Sequence, residues 1–416
     1  MSDNLNDMLI APSNWSVSNE IIKVLGVGGG GCNAVNYMYN QQIEGCTFAV
    51  CNTDAQALMS SPVPVKIQMG RGLGAGTDPI KGRNAALDSQ DEIENIVLGG
   101  NTQMLFITAG MGGGTGTGAA PVIARMAKDK GILTVAVVTI PFKNEGNKAI
   151  TRALDGIHEL EKAVDSLLII NNEKLFEFYP DTLSQDAFPK ADEILATAVR
   201  GIVEIIKKPG YINVDFEDIK TMMKDSGMAL MGCGSGSGKD RIQTAVKQAF
   251  ESPLLNDFDL KTAKNVLVNI TAGRNEQGIT MRHINEINSM IEEYTGGANN
   301  FKKGLIWDDD PAIGDTIHIT SIVTGLRFTD VLGATKDMGN FIFITDRYVY
   351  DKNERARGEG IPLFENSSSS ISYNSSSNVR TFHYDPAERP VLCVRPGEDK
   401  SELTNIPANR RKHKND

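Results

Sequence analysis

Nine consecutive residues, Gly110-Met-Gly-Gly-Gly-Thr-Gly-Thr-Gly118, constrain this chain more than any other stretch. The apolar run Met104-Leu-Phe-Ile-Thr-Ala109 precedes them and reads as a buried strand, and Ala119 to Lys130 follow as a helix. Strand, glycine loop and helix together let main-chain N–H groups converge on an anion. Glycine adopts positive φ without steric cost and admits a ligand close to the backbone, and the helix N-terminus adds partial positive charge. Thr115 and Thr117 bring hydroxyls suited to phosphate oxygens or a magnesium-bound water. A flexible linker has no reason to sit between a buried strand and a helix.

The pattern recurs. Ile21 to Val27 is strand-like and runs into Gly28-Gly-Gly-Gly-Cys-Asn33, with a helical stretch to about Gln42; a third glycine loop is Gly70-Arg-Gly-Leu-Gly-Ala-Gly-Thr-Asp-Pro79. The first loop alone fits a dinucleotide fold, and Asp54, after the strand Thr47 to Asn52, stands near the position of a ribose-binding acid, so an oxidoreductase is one alternative. The third loop has no place in such an enzyme. Three glycine loops at the C-terminal ends of adjacent parallel strands predict phosphates held from several sides, in an α/β, Rossmann-like domain. The strand Leu133 to Ile140 ends in Pro141-Phe-Lys-Asn-Glu-Gly146, which puts Glu145 on the same rim.

Beyond it, a helix over about Lys148 to Asp165, a strand over Ser166 to Asn171 and a helical segment containing Phe176 lead to a long helix. Helical spacing of Ile194, Leu195, Ala198, Val199, Ile202, Ile205 and Ile206 runs over Ala191 to Lys207. Asp215 and Asp218 then open a helix running to about Ser226, three residues apart and on one face. By spacing they read as an N-cap with acidic first-turn residues; beside a substrate phosphate they could activate water. Gly232-Cys-Gly-Ser-Gly-Ser-Gly-Lys-Asp240 imitates a Walker A loop, but Cys233 replaces its first glycine and Asp240 its Ser or Thr, so it reads as a turn between strand and helix.

Strand and helix units without phosphate loops fill Met228 to Phe328, a second α+β domain. Ser-rich Glu365 to Asn378 reads as a flexible linker, Asn340 to Tyr350 as an apolar strand-like stretch without an evident role, and Asn405 to Lys414 as a short basic partner-binding peptide. A net charge of -10 argues against nucleic acid or an anionic membrane as partner. The five cysteines show no CxxC spacing, which argues against a zinc site or disulfide framework. With no basic-apolar leader and no run long enough to span a bilayer, the expectation is a cytoplasmic protein without membrane insertion.

Taken together, these residues resemble the FtsZ family, the bacterial homologues of tubulin that polymerise at the division site. Gly112-Gly-Gly-Thr-Gly-Thr-Gly118 is similar to the family's signature, and Gly26 to Asn36, Asn52 to Leu58, Gly72 to Gly76, Pro141-Phe with Glu145-Gly146, and Asn213 to Asp218 resemble its other loops in order. The resemblance spans roughly Ile21 to Phe328 and implies a GTPase that binds GTP or GDP with Mg2+. It places the nucleotide on Gly29, Gly30, Gly31, Cys32 and Asn33, on Ala75 and Gly76, and on Gly112, Gly113, Gly114, Thr115, Gly116, Thr117 and Gly118. Glu145 would lie near the ribose, Asn172 and Asp192 would bond the guanine edge, and Phe188 would pack on the ring. A carboxylate facing the guanine N1–H and amine excludes adenine, which lacks that donor pair.

Asn213, Asp215 and Asp218 match the loop that in the family enters the next subunit's nucleotide site and places the attacking water. Activity would therefore need a head-to-tail polymer. The implied domains are an arm over 1–20, a GTP-binding domain over 21–183, a central helix and connection over 184–210, a polymerisation domain over 211–328, a linker over 329–400 and a terminal peptide over 401–416, with a midcell ring as location and membrane-tethering proteins as partners of 405–414. Three residues depart from the pattern. Ala149 stands where the family has an Arg, leaving Lys148 or Arg152 as cations. Cys32 replaces Gly or Ser and would bring an oxidisable thiol to the phosphates, and Asn409 replaces an apolar residue of the terminal peptide. The missing Arg also makes a non-hydrolysing scaffold an alternative.

Overall fold

The computed structural model describes residues 20–172, 184–207, 210–212, 214–251, 260–298 and 300–326, the side chains of 143, 147 and 184–188 excepted, and four short strands between 343 and 383. Residues up to Phe328 form one compact unit and those from Thr329 a second.

The first unit is built on a single ten-stranded sheet of order β3-β2-β1-β4-β5-β6-β7-β10-β8-β9. Strands β1 (Ile22–Val27), β2 (Thr47–Asn52), β3 (Val65–Gln68), β4 (Met104–Gly110), β5 (Leu133–Ile140) and β6 (Ser166–Asn171) pair in parallel. The middle ones are almost wholly apolar because helices cover both faces of such a sheet. Each parallel crossover brings the chain back to the same edge, so every glycine loop emerges at the C-terminal edge.

The sheet does not stop at the expected domain boundary. β7 (Gly227–Gly236) continues it in parallel from β6 through Ser166↔Gly227, Leu167↔Met228 and Leu168↔Ala229. From there β10 (Ile317–Leu326) runs antiparallel to both β7 and β8 (Asn265–Gly273), and β9 (Asn300–Asp308) closes the edge parallel to β8.

Helices α1 (Gly28–Asn40) and α5 (Thr115–Asp129) follow β1 and β4, with α2 (Ala55–Ser60), α3 (Pro79–Asp88) and α4 (Gln90–Ile96) between them and α6 (Asn147–Ala163) after β5. Two of these starts correct the sequence reading. Gly28 to Gly31 and Thr115 to Gly118, read as loop, are the first turns of α1 and α5, while Gly112 to Gly114 remain loop. Glycine's poor helix propensity hid this; it is chosen because the turns lie against other backbone. At Gly114, which leads into α5, a Cβ would stand 2.5 Å from the Gly76 carbonyl oxygen and 2.9 Å from that of Asp78.

α7 (Ser184–Lys207) is the long central helix. Leu195, Val199, Ile202 and Val203 belong to one apolar cluster with Val24, Phe106 and Val135 of the glycine-loop half and Met222, Met231, Leu267 and Ile322 of the other. At 1.5 Å per residue, Asp192 and Lys207 lie roughly 22 Å apart along its axis. Beyond α7 come α8 (Phe216–Met223), shorter than the reading to Ser226, α9 (Arg241–Phe250) and α10 (Met281–Thr295). The Walker-like stretch is the end of β7 and a turn, pinned by the Gly238 N–H donating to Asp315 Oδ2 at 2.8 Å. No helix of the described residues is long and apolar enough to cross a membrane.

In the second unit Phe343–Ile344 pairs with Val349–Tyr350, and Ser370–Tyr373 with Arg380–His383, both antiparallel. The second pair falls within and after the Ser-rich stretch read as linker. Ile371 and Phe382 are partners in its backbone register. The arm, the helical segment containing Phe176 and the terminal basic peptide lie outside the described residues.

Candidate functional site

A cavity of about 490 Å³ opens at the C-terminal edge of the parallel strands. Gly29, Gly30 and Asn33 of α1 line it, with Asn52, Thr53 and Asp54 after β2, Gly74, Ala75 and Gly76, and Gly113, Gly114, Thr115 and Gly116 at the start of α5. Ala57, Gly110, Met111, Thr139, Pro141, Glu145, Asn172, Ala191, Asp192 and Leu195 complete the wall. Two helix N-termini thus open on one space, each with main-chain N–H groups and a partial positive charge.

The loops brace one another. The Thr53 and Thr115 hydroxyls pair at 2.6 Å, and the Gly114 N–H donates to the Gly76 carbonyl at 3.0 Å. Gly112 has φ +99°, a conformation suited to glycine, and both of its polar groups are held: its N–H donates to Thr117 Oγ1 at 2.8 Å and its carbonyl accepts from Arg152 Nε at 2.8 Å. Glu145 Oε1 accepts from the Phe142 N–H at 2.9 Å, which fixes the rim loop.

One corner is built for hydrogen-bond donors. Asn172 is 7 % exposed, and its buried Oδ1 has no partner among the described residues. Asp192, from α7, lines the same cavity, and burial pushes its carboxyl up to about 7. An orphaned carbonyl oxygen and a desolvated carboxylate fit a ligand edge bearing N–H and NH2 groups, as guanine does.

Of the residues expected to bind nucleotide, Gly31, Cys32, Gly112, Thr117 and Gly118 are not on the cavity wall. The Gly31 carbonyl accepts from Thr108 Oγ1 at 3.2 Å. Cys32 Sγ points into the fold, toward the carbonyls of Gly26 (3.8 Å) and Cys51 (3.6 Å), and burial pushes its thiol up to about 12. The expected oxidisable thiol at the phosphates is therefore absent; Cys32 fills core. Thr117 and Gly118 line a second cleft behind the loop, also of about 490 Å³. Arg152, one of the two candidate replacement cations, lines that cleft as well. Phe188 falls in α7 with its side chain outside the described residues.

Sequence reasoning passed over Ala57, Met111, Thr139, Ala191 and Leu195 as wall and Asn52 and Thr53 as individual site residues, and it named Asp54 only as the acid of a dinucleotide site. Asp54 also caps α2, accepting from the Gln56 and Ala57 N–H groups, and this local role accounts for the acid that suggested a dinucleotide site. Thr53 carries a signal only in three dimensions, through Thr115.

Asp215 and Asp218 are not on this cavity; they lie beyond the far end of α7. Asp215 caps α8, its Oδ1 accepting from the Asp218 N–H at 2.8 Å, and Asp218 Oδ1 is 2.6 Å from Lys302 Nζ. Asn213 lies outside the described residues.

Comparison with known proteins decides what such a cavity belongs to. The Tubulin/FtsZ family GTPase domain matches residues 21–180, and the FtsZ family C-terminal domain residues 227–327. "Cell division protein FtsZ" of Pseudomonas putida is 49% identical over 311 residues, 74% of this chain and 76% of that protein. The chain belongs to the FtsZ family. It is accordingly a tubulin-like GTPase that binds guanine nucleotide. The Porphyromonas gingivalis FtsZ is 45% identical over 346 residues, 80% of this chain and 74% of that one. Among solved structures, an empty FtsZ dimer from M. jannaschii matches with a TM-score of 0.68 and 36% identity, covering 82% of this chain and 95% of that one. CetZ2 from Haloferax volcanii, at 19% identity and a TM-score of 0.62 over 74% of this chain and 93% of that one, shares the fold.

Proposed function

We propose that this FtsZ-family GTPase assembles head to tail into a cytoskeletal filament of cell division, and that GTP is hydrolysed between two copies of the chain. The carrying observation is that the cavity and the candidate catalytic acids are set apart by α7 within one subunit, so that the Asp215–Asp218 loop of one copy can serve the cavity of the next. Such a contact is heterologous and does not close. Exposed apolar side chains support it at both places: Met59 (72%) on α2 and Leu73 (91%) beside the wall residue Gly74, and Tyr211 (79%) and Phe301 (43%) in the segments that flank the acids and Lys302.

In this reading the triphosphate lies against the first turns of α1 and α5 and the loop 74–76, with guanine on Asn172 and Asp192 and the ribose toward Glu145. Asp215, by capping α8, fixes the turn that carries Asp218. Asp218 orients and polarises the attacking water. Mg2+ bound with the nucleotide would supply charge neutralisation in phosphoryl transfer, with the Thr115 hydroxyl and the Asp54 carboxylate on the wall as candidate partners for it or its water. We place the filament in the cytoplasm at a midcell ring, with residues 405–414 as the peptide that meets membrane-tethering partners.

Phosphate release measured against protein concentration, with light scattering in the same cuvette, tests the shared site. Specific activity should be near zero below a threshold and rise with scattering above it. Asp218→Ala should keep GTP bound and lose on the order of a thousandfold in turnover. Flat activity per molecule without scattering would return both acids to the role of helix caps.

A further inference from the structure

The nucleotide cavity is short of positive charge. Its wall carries the carboxylates Asp54, Glu145 and Asp192 and, among the described residues, no Lys or Arg. A bound triphosphate brings about four negative charges; a divalent ion and two helix N-termini of about half a charge each leave roughly one uncompensated. Ala149 is buried and apolar, and Arg152 is engaged at the back of the loop by its bond to the Gly112 carbonyl.

A cation stands instead with the acids at the other end. Lys302 Nζ is 2.6 Å from Asp218 Oδ1, with half the Lys302 side chain and a quarter of the Asp218 side chain exposed. Exposed pairs of this kind add little to fold stability, so the fold gives no strong reason for it. The pair nevertheless sits on a firm base. β9, which carries Lys302, is paired along its length to β8, and the segment leading to Asp215 is tied to β9 by the Tyr211 N–H donating to the Leu305 carbonyl at 2.7 Å and the Leu305 N–H to the Ile212 carbonyl at 3.0 Å. Wherever Asp218 is carried, Lys302 goes with it. The bond to Asp218 first, and then the charges of Asp218 and Asp215, hold the ammonium above its ordinary pKa and therefore charged.

We propose that Lys302 enters the nucleotide cavity of the next subunit together with Asp218 and places its ammonium on the phosphates there, supplying in trans the cation that the cavity lacks. This rests on the shared-site reading above. Before contact Lys302 masks the Asp218 carboxylate, so that Asp218 approaches the polyanion as half of a neutral pair. After contact the ammonium bridges carboxylate and phosphate, where a developing charge in phosphoryl transfer is best stabilised.

Full-length Lys302→Gln and Lys302→Arg variants, with Asp218→Ala beside them, test it at saturating GTP above the assembly threshold. Lys302→Gln should lower turnover per polymerised subunit by about tenfold or more. GTP affinity of the unassembled subunit should be unchanged, and Lys302→Arg should recover most of the rate. A merely structural role would give neither the unchanged affinity nor the rescue. If Lys302→Gln does not assemble alone, it is co-assembled with the parent chain at constant pelleted polymer: activity falling in proportion to the variant fraction supports the proposal, and unchanged activity overturns it. Parental turnover in Lys302→Gln with an inactive Asp218→Ala overturns the lysine's role alone. An Asp218→Ala protein as active as the parent overturns the shared site, and this proposal with it.

Discussion

The Gly112–Gly118 segment separates two spaces of the same volume, about 490 Å³ each, and they are opposite in chemistry. In front, the wall is glycine backbone, threonine hydroxyl and three carboxylates; behind, between α3, α5 and α6, Arg83, Arg125 and Arg152 stand among Asp129, Asp155 and Glu159. The arginines are therefore on the side away from the phosphates. On the function proposed above, main-chain N–H groups and helix termini at the front would hold the polyanion, while the back cleft keeps the loop in shape through Thr117 and Arg152.

Changes at the front should be the more severe. Gly114→Val puts a side chain against the Gly76 and Asp78 carbonyls and should cost about a hundredfold in GTP affinity, measured by fluorescent-nucleotide titration; overpacking of this kind costs 1–3 kcal/mol. Asp192→Asn comes next, with about tenfold weaker GTP binding and a changed pH profile, because a hydrogen bond to a charged group is lost. In the parent, burial favours the neutral Asp192 acid, with its pKa at about 7, whereas guanine's donors select the carboxylate. GTP affinity should accordingly fall as pH drops below that value, levelling off at the roughly tenfold loss of the Asn variant, which itself should be flat. Stability of the nucleotide-free protein has the other sign: the contribution of neutral Asp192 is fully present below the ordinary carboxylate range and is lost as pH rises through about 7.

Behind the loop, Thr117→Val removes the acceptor of the Gly112 N–H and should lower stability by about 1–2 kcal/mol in denaturant melts, with a several-fold loss of GTP affinity. Arg125→Gln, on the exposed rim of the back cleft, should leave both within error. A large loss of nucleotide binding in Arg125→Gln would break the distinction between the two sides.

Most of the front side can be read in the amino-acid order, because close backbone approach to phosphate demands glycine and glycine runs are conspicuous. The same runs misled on helix starts: Gly28 to Gly31 and Thr115 to Gly118 are helical because the turns pack on neighbouring backbone, and tertiary contact overrides propensity. Cys32 and Thr117 are a single residue away from wall positions, and only the helical turn decides that one faces core and the other the back cleft. Asp192 was reached through resemblance and not through pattern, since on its own helix it resembles any surface acid; burial and the neighbouring Asn172 oxygen set it apart. The Thr53–Thr115 pair and the Lys302–Asp218 pair join residues 62 and 84 positions apart, beyond what local spacing can reveal.

The placing of cavity and acids at opposite ends of α7 gives a head-to-tail filament two unlike tips. At one tip the last subunit holds its nucleotide with no neighbour's acids over it; at the other the acids project with no nucleotide to act on. On the proposed shared site, the nucleotide at the open tip would outlive every one behind it, since each arriving subunit would start hydrolysis in the subunit it covers and bring its own intact GTP. A growing filament therefore carries a cap of fresh nucleotide at one tip only, and the age of the bound nucleotide increases with distance from it. In such a filament direction and time would be recorded along the same axis, because α7 sets the acids apart from the cavity of their own subunit.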